Sequence, residues 1–161
     1  MVKMHKSSLK EQAYKFIEEN RAAALATSNQ HGMPHVATVY CVPNRDLSLY
    51  FTTSVEGRKF NNMIGNPNVA LAFTDEAKLS TIQLTGFSER IEDLHFEQEI
   101  LHQLMTSRHR DPNWPFPSMQ LFEKGSSNEL AIMKVTPTEM TYANFEDPQG
   151  MEQKSIFQKV I

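Results

Sequence analysis

Residues 50–71 read YFTTSVEGRKFNNMIGNPNVAL. An apolar run stops at Thr52 and Thr53, turns through Ser-Val-Glu-Gly and resumes with Arg58 and Lys59. A plain strand-to-helix link needs neither paired hydroxyls nor paired cations. The pattern predicts a strand to Thr53 and a helix from about Glu56 to Ile64, closed near Gly65 and broken by Asn66-Pro67-Asn68. Free N–H groups and the positive dipole end of such a helix would point the same way as the two cations. Arg58 offers a planar fork and Lys59 a point charge, both suited to phosphate. Thr53 could donate to the same group, and Asn62, one turn after Arg58, could orient it. Cations in a first helical turn oppose the helix dipole, so an anion is expected to offset them. The segment is not a P-loop, because GxxxxGK[ST] is absent.

Outward from this stretch the chain reads mainly as β-structure. Ser8 with Glu11 forms a capping-box pattern, and Leu9, Ala13, Phe16 and Ile17 fall on one helical face. Runs 22–28, 34–42 and 47–53 read as strands joined by turns at NQHG and PNRD, an antiparallel meander. Runs 69–74 and 80–91 predict two more strands, with Gly86 marking a bulge or a close backbone approach. A helix is expected from Asp93 to about Ser107. Runs 130–135 and 139–145 read as two closing strands separated by Thr136-Pro137. Many short, evenly spaced strands favour a closed sheet.

The 161 residues fit one domain, with a core over about 8–145 and a polar tail over 146–161. The net charge of -3 argues against a nucleic-acid partner. Cys41, the only cysteine, excludes an internal disulfide and suits a reducing compartment. It is expected to be buried and inert. No apolar run is long enough to span a bilayer, and the N-terminal segment predicts no signal peptide, so the expected location is cytoplasmic. The six histidines show no ligand spacing that predicts a metal site.

Four segments together resemble the pyridoxamine 5'-phosphate oxidase-like FMN-binding family. ALATSNQHGMPHVATV resembles its first hairpin and LYFTTSVEGRKFNNMIGNPNVAL its phosphate-binding segment. IQLTGFSERIED resembles its glycine-bearing strand and LAIMKVTPTEMTYA its closing strands. The resemblance implies a six- to seven-stranded antiparallel split β-barrel with peripheral helices, and a homodimer holding FMN at the subunit interface. It implies that Arg58, Lys59 and Thr53 hold the FMN phosphate, with Thr52 near the phosphate or ribityl chain. Ala37, Thr38 and Val39 would lie along the isoalloxazine edge, and Gln83 could reach the ribityl chain or ring. Trp114, in a Pro-rich loop, could cover the flavin of the other subunit or pack on its own core.

The implied activity is hydride transfer through flavin N5 to or from a small molecule, with a reduced nicotinamide as donor. The ending EDPQGMEQKSIFQKVI lacks the Arg-Leu-x-Pro-like basic ending of the oxidase proper, which points away from vitamin B6 oxidation and toward small relatives of general stress proteins. A non-catalytic flavin carrier or sensor, and a haem-binding or haem-degrading relative, are the alternatives.

Overall fold

A computed structural model describes residues 8–106, 130–146 and 156–161. Helix α1, Leu9–Glu19, starts where the capping pattern places it: the Glu11 amide donates to Ser8 Oγ at 3.2 Å. Strands β1 (Ala22–Ser28) and β2 (Pro34–Tyr40) form an antiparallel hairpin. Its turn is fixed by Asn29, whose Oδ1 accepts from the amides of His31 and Met33, and by Gly32 at φ 78°. After Cys41 come β3 (Val42–Pro43), β4 (Leu49–Ser54), α2 (Arg58–Gly65), β5 (Asn68–Asp75), β6 (Ser80–Ile91) and α3 (Leu94–Thr106). The long β7 (Leu130–Asn144) and the short β8 (Phe157–Lys159) complete one antiparallel sheet.

The strand order is β2-β1-β5-β6-β7-β4-β3, with β8 paired to β7. The two ends of that order are consecutive pieces of one extended run, so the sheet curls toward closure, as a split barrel requires. The expected meander holds in outline, with run 34–42 antiparallel to both of its neighbours, but its pairing with β4 is confined to its end. Residues 34–40 pair with β1, but β4 pairs with β3 and β7 and not with β2. The break at Cys41 divides the run into a part paired with β1 and a part paired with β4.

Period-2 alternation sends Leu25, Val39, Leu49, Phe51, Leu71, Phe73, Ile82, Leu84, Met133 and Val135 inward. Fully burying one such side chain contributes about 1.5–3 kcal/mol. Helix α1 adds Ala13, Phe16 and Ile17 to this core, and α2 adds Phe60 and Met63. Helix α3 covers a different surface: Ile100 joins Val42, Tyr50 and Ile132, with Tyr50 and Phe96 in edge contact at 5.1 Å. No helix among the described residues packs on the outer face of β2, β1 and β5, where Ala22, Ala24, Ala26, Val36 and Thr38 are exposed.

One other expectation changes. Runs 130–135 and 139–145 are one continuous strand, because Thr136-Pro137 sits at a bulge rather than between strands. Gly86 pairs with Pro137 there, the register shifts between Thr85 and Gly86, and proline costs no ladder bond at such a site. Part of the polar tail is also ordered: Phe157–Lys159 pairs with β7, and Val160 enters the core. Trp114, His5, His109 and residues 147–155 lie outside the described residues.

A Cβ on Gly86 would lie 2.3 Å from the Thr136 carbonyl oxygen. Gly86→Ala is expected to lower stability by about 1–3 kcal/mol, the usual cost of overpacking. Urea unfolding should show a lower midpoint at an unchanged slope.

Candidate functional site

Strand β4 alternates Phe51 and Thr53 inward and Tyr50 and Thr52 to the opposite face. The two threonines therefore face different environments. Thr52 is half-buried on the side carrying Tyr50 and Ile132, opposite Ile132 in register. Thr53 is only 3% exposed, and its hydroxyl has no hydrogen-bond partner among the described residues. A buried hydroxyl without a partner costs free energy, so its retention points to a partner that the described residues do not supply.

The turn after β4 aims α2 at this hydroxyl. The Gly57 amide donates to the Ser54 carbonyl at 3.1 Å, and the Glu56 amide to Ser54 Oγ at 3.3 Å. Helix α2 begins at Arg58, not at Glu56 as the sequence suggested, and Gly57 is its N-cap without a side-chain cap bond. The shift places both cations in the first two helical positions and leaves the helix with no acidic residue in its first turn. A Cβ on Gly57 would lie 4.0 Å from Thr53 Oγ1, so the helix entrance and the orphan hydroxyl adjoin. Arg58 is exposed and Lys59 half-buried, and no ion pair among the described residues engages either. The start of the helix that carries these two cations, with its free backbone donors and positive dipole end, thus adjoins one buried hydroxyl. That arrangement fits a phosphate monoester.

Asn62 behaves differently from the sequence expectation. Its amide donates to Thr27 Oγ1 at 3.0 Å in a buried contact, which ties α2 to β1. Sequence reasoning passed over Thr27, and its only signal was a polar residue at an inward position of a small apolar strand. Sequence reasoning also passed over Arg90 on β6, whose guanidinium lies 5.8 Å from the Phe60 ring centroid on α2.

Residues 37–39 lie on β2, which among the described residues has a strand neighbour only on its β1 side. Its other edge carries backbone donors and acceptors that no strand uses, the kind of row a heteroaromatic edge can satisfy. Val39 is buried in the core, Ala37 half-buried and Thr38 exposed. Gln83 is exposed on the same outer face as Thr38, in the row Thr38, Ala24, Ala72, Gln83. Three strand spacings, about 14 Å, separate the ends of that row within one chain. The fold thus brings the helix start that carries Arg58 and Lys59 beside the inward Thr53, and it puts Gln83 on the outer face, three strands from Thr38.

Cys41 is fully buried, and burial pushes its thiol well above its ordinary range, so it is no nucleophile. Among the described residues no three His, Cys, Asp or Glu side chains gather to hold a metal ion, and no helix is long and apolar enough to cross a membrane.

Comparison with known proteins gives a family and a fold. The model of the pyridoxamine 5'-phosphate oxidase family matches residues 9–144. General Stress Protein 26 from Bacillus anthracis superposes with a TM-score of 0.62 at 20% identity, over 83% of this chain and 92% of that one. A NimC/NimA family protein from Clostridium acetobutylicum gives 0.67 at 21%, over 93% and 90%. The haem storage protein HutZ from Vibrio cholerae gives 0.62 at 16%, over 83% and 94%. At these identities the likeness is one of fold. No curated protein matches the chain.

Two substitutions separate the site from its support. Asn62→Ala strands the Thr27 hydroxyl and is expected to cost about 1–3 kcal/mol. Thr53→Val removes a hydroxyl that has no partner, so ligand-free stability should stay level or rise by up to about 1 kcal/mol. Urea unfolding of both variants without ligand checks the contrast, and equal losses would mean that Thr53 already has a partner.

Proposed function

The chain belongs to the pyridoxamine 5'-phosphate oxidase family, and we propose that it is an FMN-dependent oxidoreductase acting on a small molecule. One observation carries the reading: the orphan hydroxyl of Thr53 is buried beside the uncapped, doubly cationic start of α2. Arg58, Lys59 and Thr53 hold the FMN phosphate, and the open edge of β2 at residues 37–39 lines the flavin ring. Bound FMN supplies a two-electron centre that exchanges hydride at N5, with a reduced nicotinamide as the electron source. The residues bind and orient, and the described site presents no side chain in an acid–base role.

A second copy of the chain completes the site in this reading. The outer face of β1 and β5 is built of Ala22, Ala24, Ala26, Ala70 and Ala72, and Val36 beside it is 66% exposed. Such a smooth, uncovered sheet face suits close approach of another sheet, with the flavin at the seam. A carrier or sensor would use the same site without turnover.

Haem binding is the second reading. The fold likeness to HutZ favours it, as does His35, whose Nδ1 is buried without a partner among the described residues. The visible spectrum of freshly purified protein, with the mass of the released cofactor, separates the two. A flavin spectrum with the FMN mass is expected, and a Soret band would move the reading to haem. Arg58→Ala combined with Lys59→Ala should weaken FMN binding about a hundredfold or more, since two charge-assisted contacts are lost. The circular-dichroism melt should stay nearly unchanged. Undiminished affinity in a fluorescence titration would overturn the phosphate site.

A further inference from the structure

Arg90 pairs in register with Met133 of β7, and Met133 with Phe51 of β4. Directly opposed residues in antiparallel strands project to the same face. Met133 and Phe51 are buried in the barrel core, so Arg90 projects to the inner face as well. The adjacent inward pair on β4 and β7 is Thr53 and Ala131. Arg90 therefore shares a face with the orphan hydroxyl, one step along the sheet.

Its side chain does not run into the apolar core. It remains exposed at the rim and turns toward α2, where its guanidinium lies 5.8 Å from the Phe60 ring centroid. Phe60 directly follows Arg58 and Lys59. On the neighbouring register pair, Glu89 and Lys134 lie 3.8 Å apart and neutralise each other. Among the described residues no ion pair engages Arg90. Arg58 and Lys59 on the first turn of α2 and Arg90 beside its Phe60 thus bring three cations without an ion pair among the described residues to the positive end of its dipole. Like charges at that spacing repel one another, and the dipole adds to the penalty. A bound anion would add an attraction to each cation and to the dipole, offsetting these repulsions. The buried, unpartnered hydroxyl of Thr53 is an independent mark of the same ligand.

We propose that Arg90 is a third cationic residue of the phosphate site, held against the Phe60 ring and delivering charge from β6 while Thr53 donates from β4 and Arg58 and Lys59 from α2. This rests on the FMN reading and deepens it: the site selects a phosphate monoester, so FMN is preferred over riboflavin through three separate elements of the fold.

The test titrates FMN and riboflavin, by flavin fluorescence, into flavin-stripped full-length wild type, Arg90→Ala and Arg90→Lys at low and high salt. Arg90→Ala is expected to weaken FMN about tenfold or more and riboflavin by less than about twofold. Arg90→Lys should recover part of the loss. The salt dependence of FMN binding should flatten in Arg90→Ala, because one charge fewer is screened. Equal weakening of FMN and riboflavin would overturn the proposal, since it would make Arg90 a mere prop for α2. Unchanged FMN affinity would overturn it as well. If Arg58→Ala with Lys59→Ala loses FMN while Arg90→Ala does not, only the role of Arg90 fails. If wild type takes up no FMN, the flavin reading fails and Arg90 fails with it.

Discussion

The run from Pro34 to Pro43 must serve two ladders, and the rest of the structure follows from how it does so. Its first part pairs with β1 and its last two residues with β4, and Cys41 stands between. The Cys41 amide donates to the Arg21 carbonyl at 2.9 Å, so the crossover keeps its backbone bond while the strand changes partner. A small, uncharged side chain fits this fully buried corner, and the raised thiol pKa keeps it uncharged. The two ends of the strand order are joined by covalent chain. The sheet therefore curls, its inner face fills with aliphatic and aromatic side chains, and the far edge of β2 stays open.

Local signals were readable wherever local chemistry decides the outcome. Ser8 caps α1, Asn29 and Gly32 make the hairpin turn, and Gly86 marks both the bulge and the close approach of the Thr136 carbonyl. What failed to read is what depends on partners distant in sequence. Thr136-Pro137 looks like a strand break in isolation, and only the facing Gly86 turns it into a bulge inside one strand. The short pairing of run 34–42 with β4 has the same origin, because β4 finds its long partner in β7. At the site, the cation pair was legible because charge in a first helical turn is locally anomalous. The side chain of Asn62 was not, because Thr27 lies 35 residues away.

Helix α2 carries two duties on its eight residues. Phe60 and Met63 bury into the barrel, while Arg58 and Lys59 stay free of partners among the described residues. The buried amide of Asn62 pins the helix to β1, so its entrance cannot drift relative to β4. Rigidity comes from one face of the helix and charge from its first two positions. Binding groups held by packed elements lose less freedom when a ligand arrives than groups on a loose loop would.

The pairing of β4 with β7 also sets an order in time. Leu49 meets Val135 across most of the chain, whereas β1 meets β2 and β5 meets β6 across short turns. Loop-closure entropy makes the distant contact the costly one, so the local hairpins are favoured to assemble first. Helix α2 is strung between β4 and β5, and it reaches its seat only when both sides of the sheet have found each other. The first turn of α2 and the buried hydroxyl of Thr53 therefore come together only with that last, distant association.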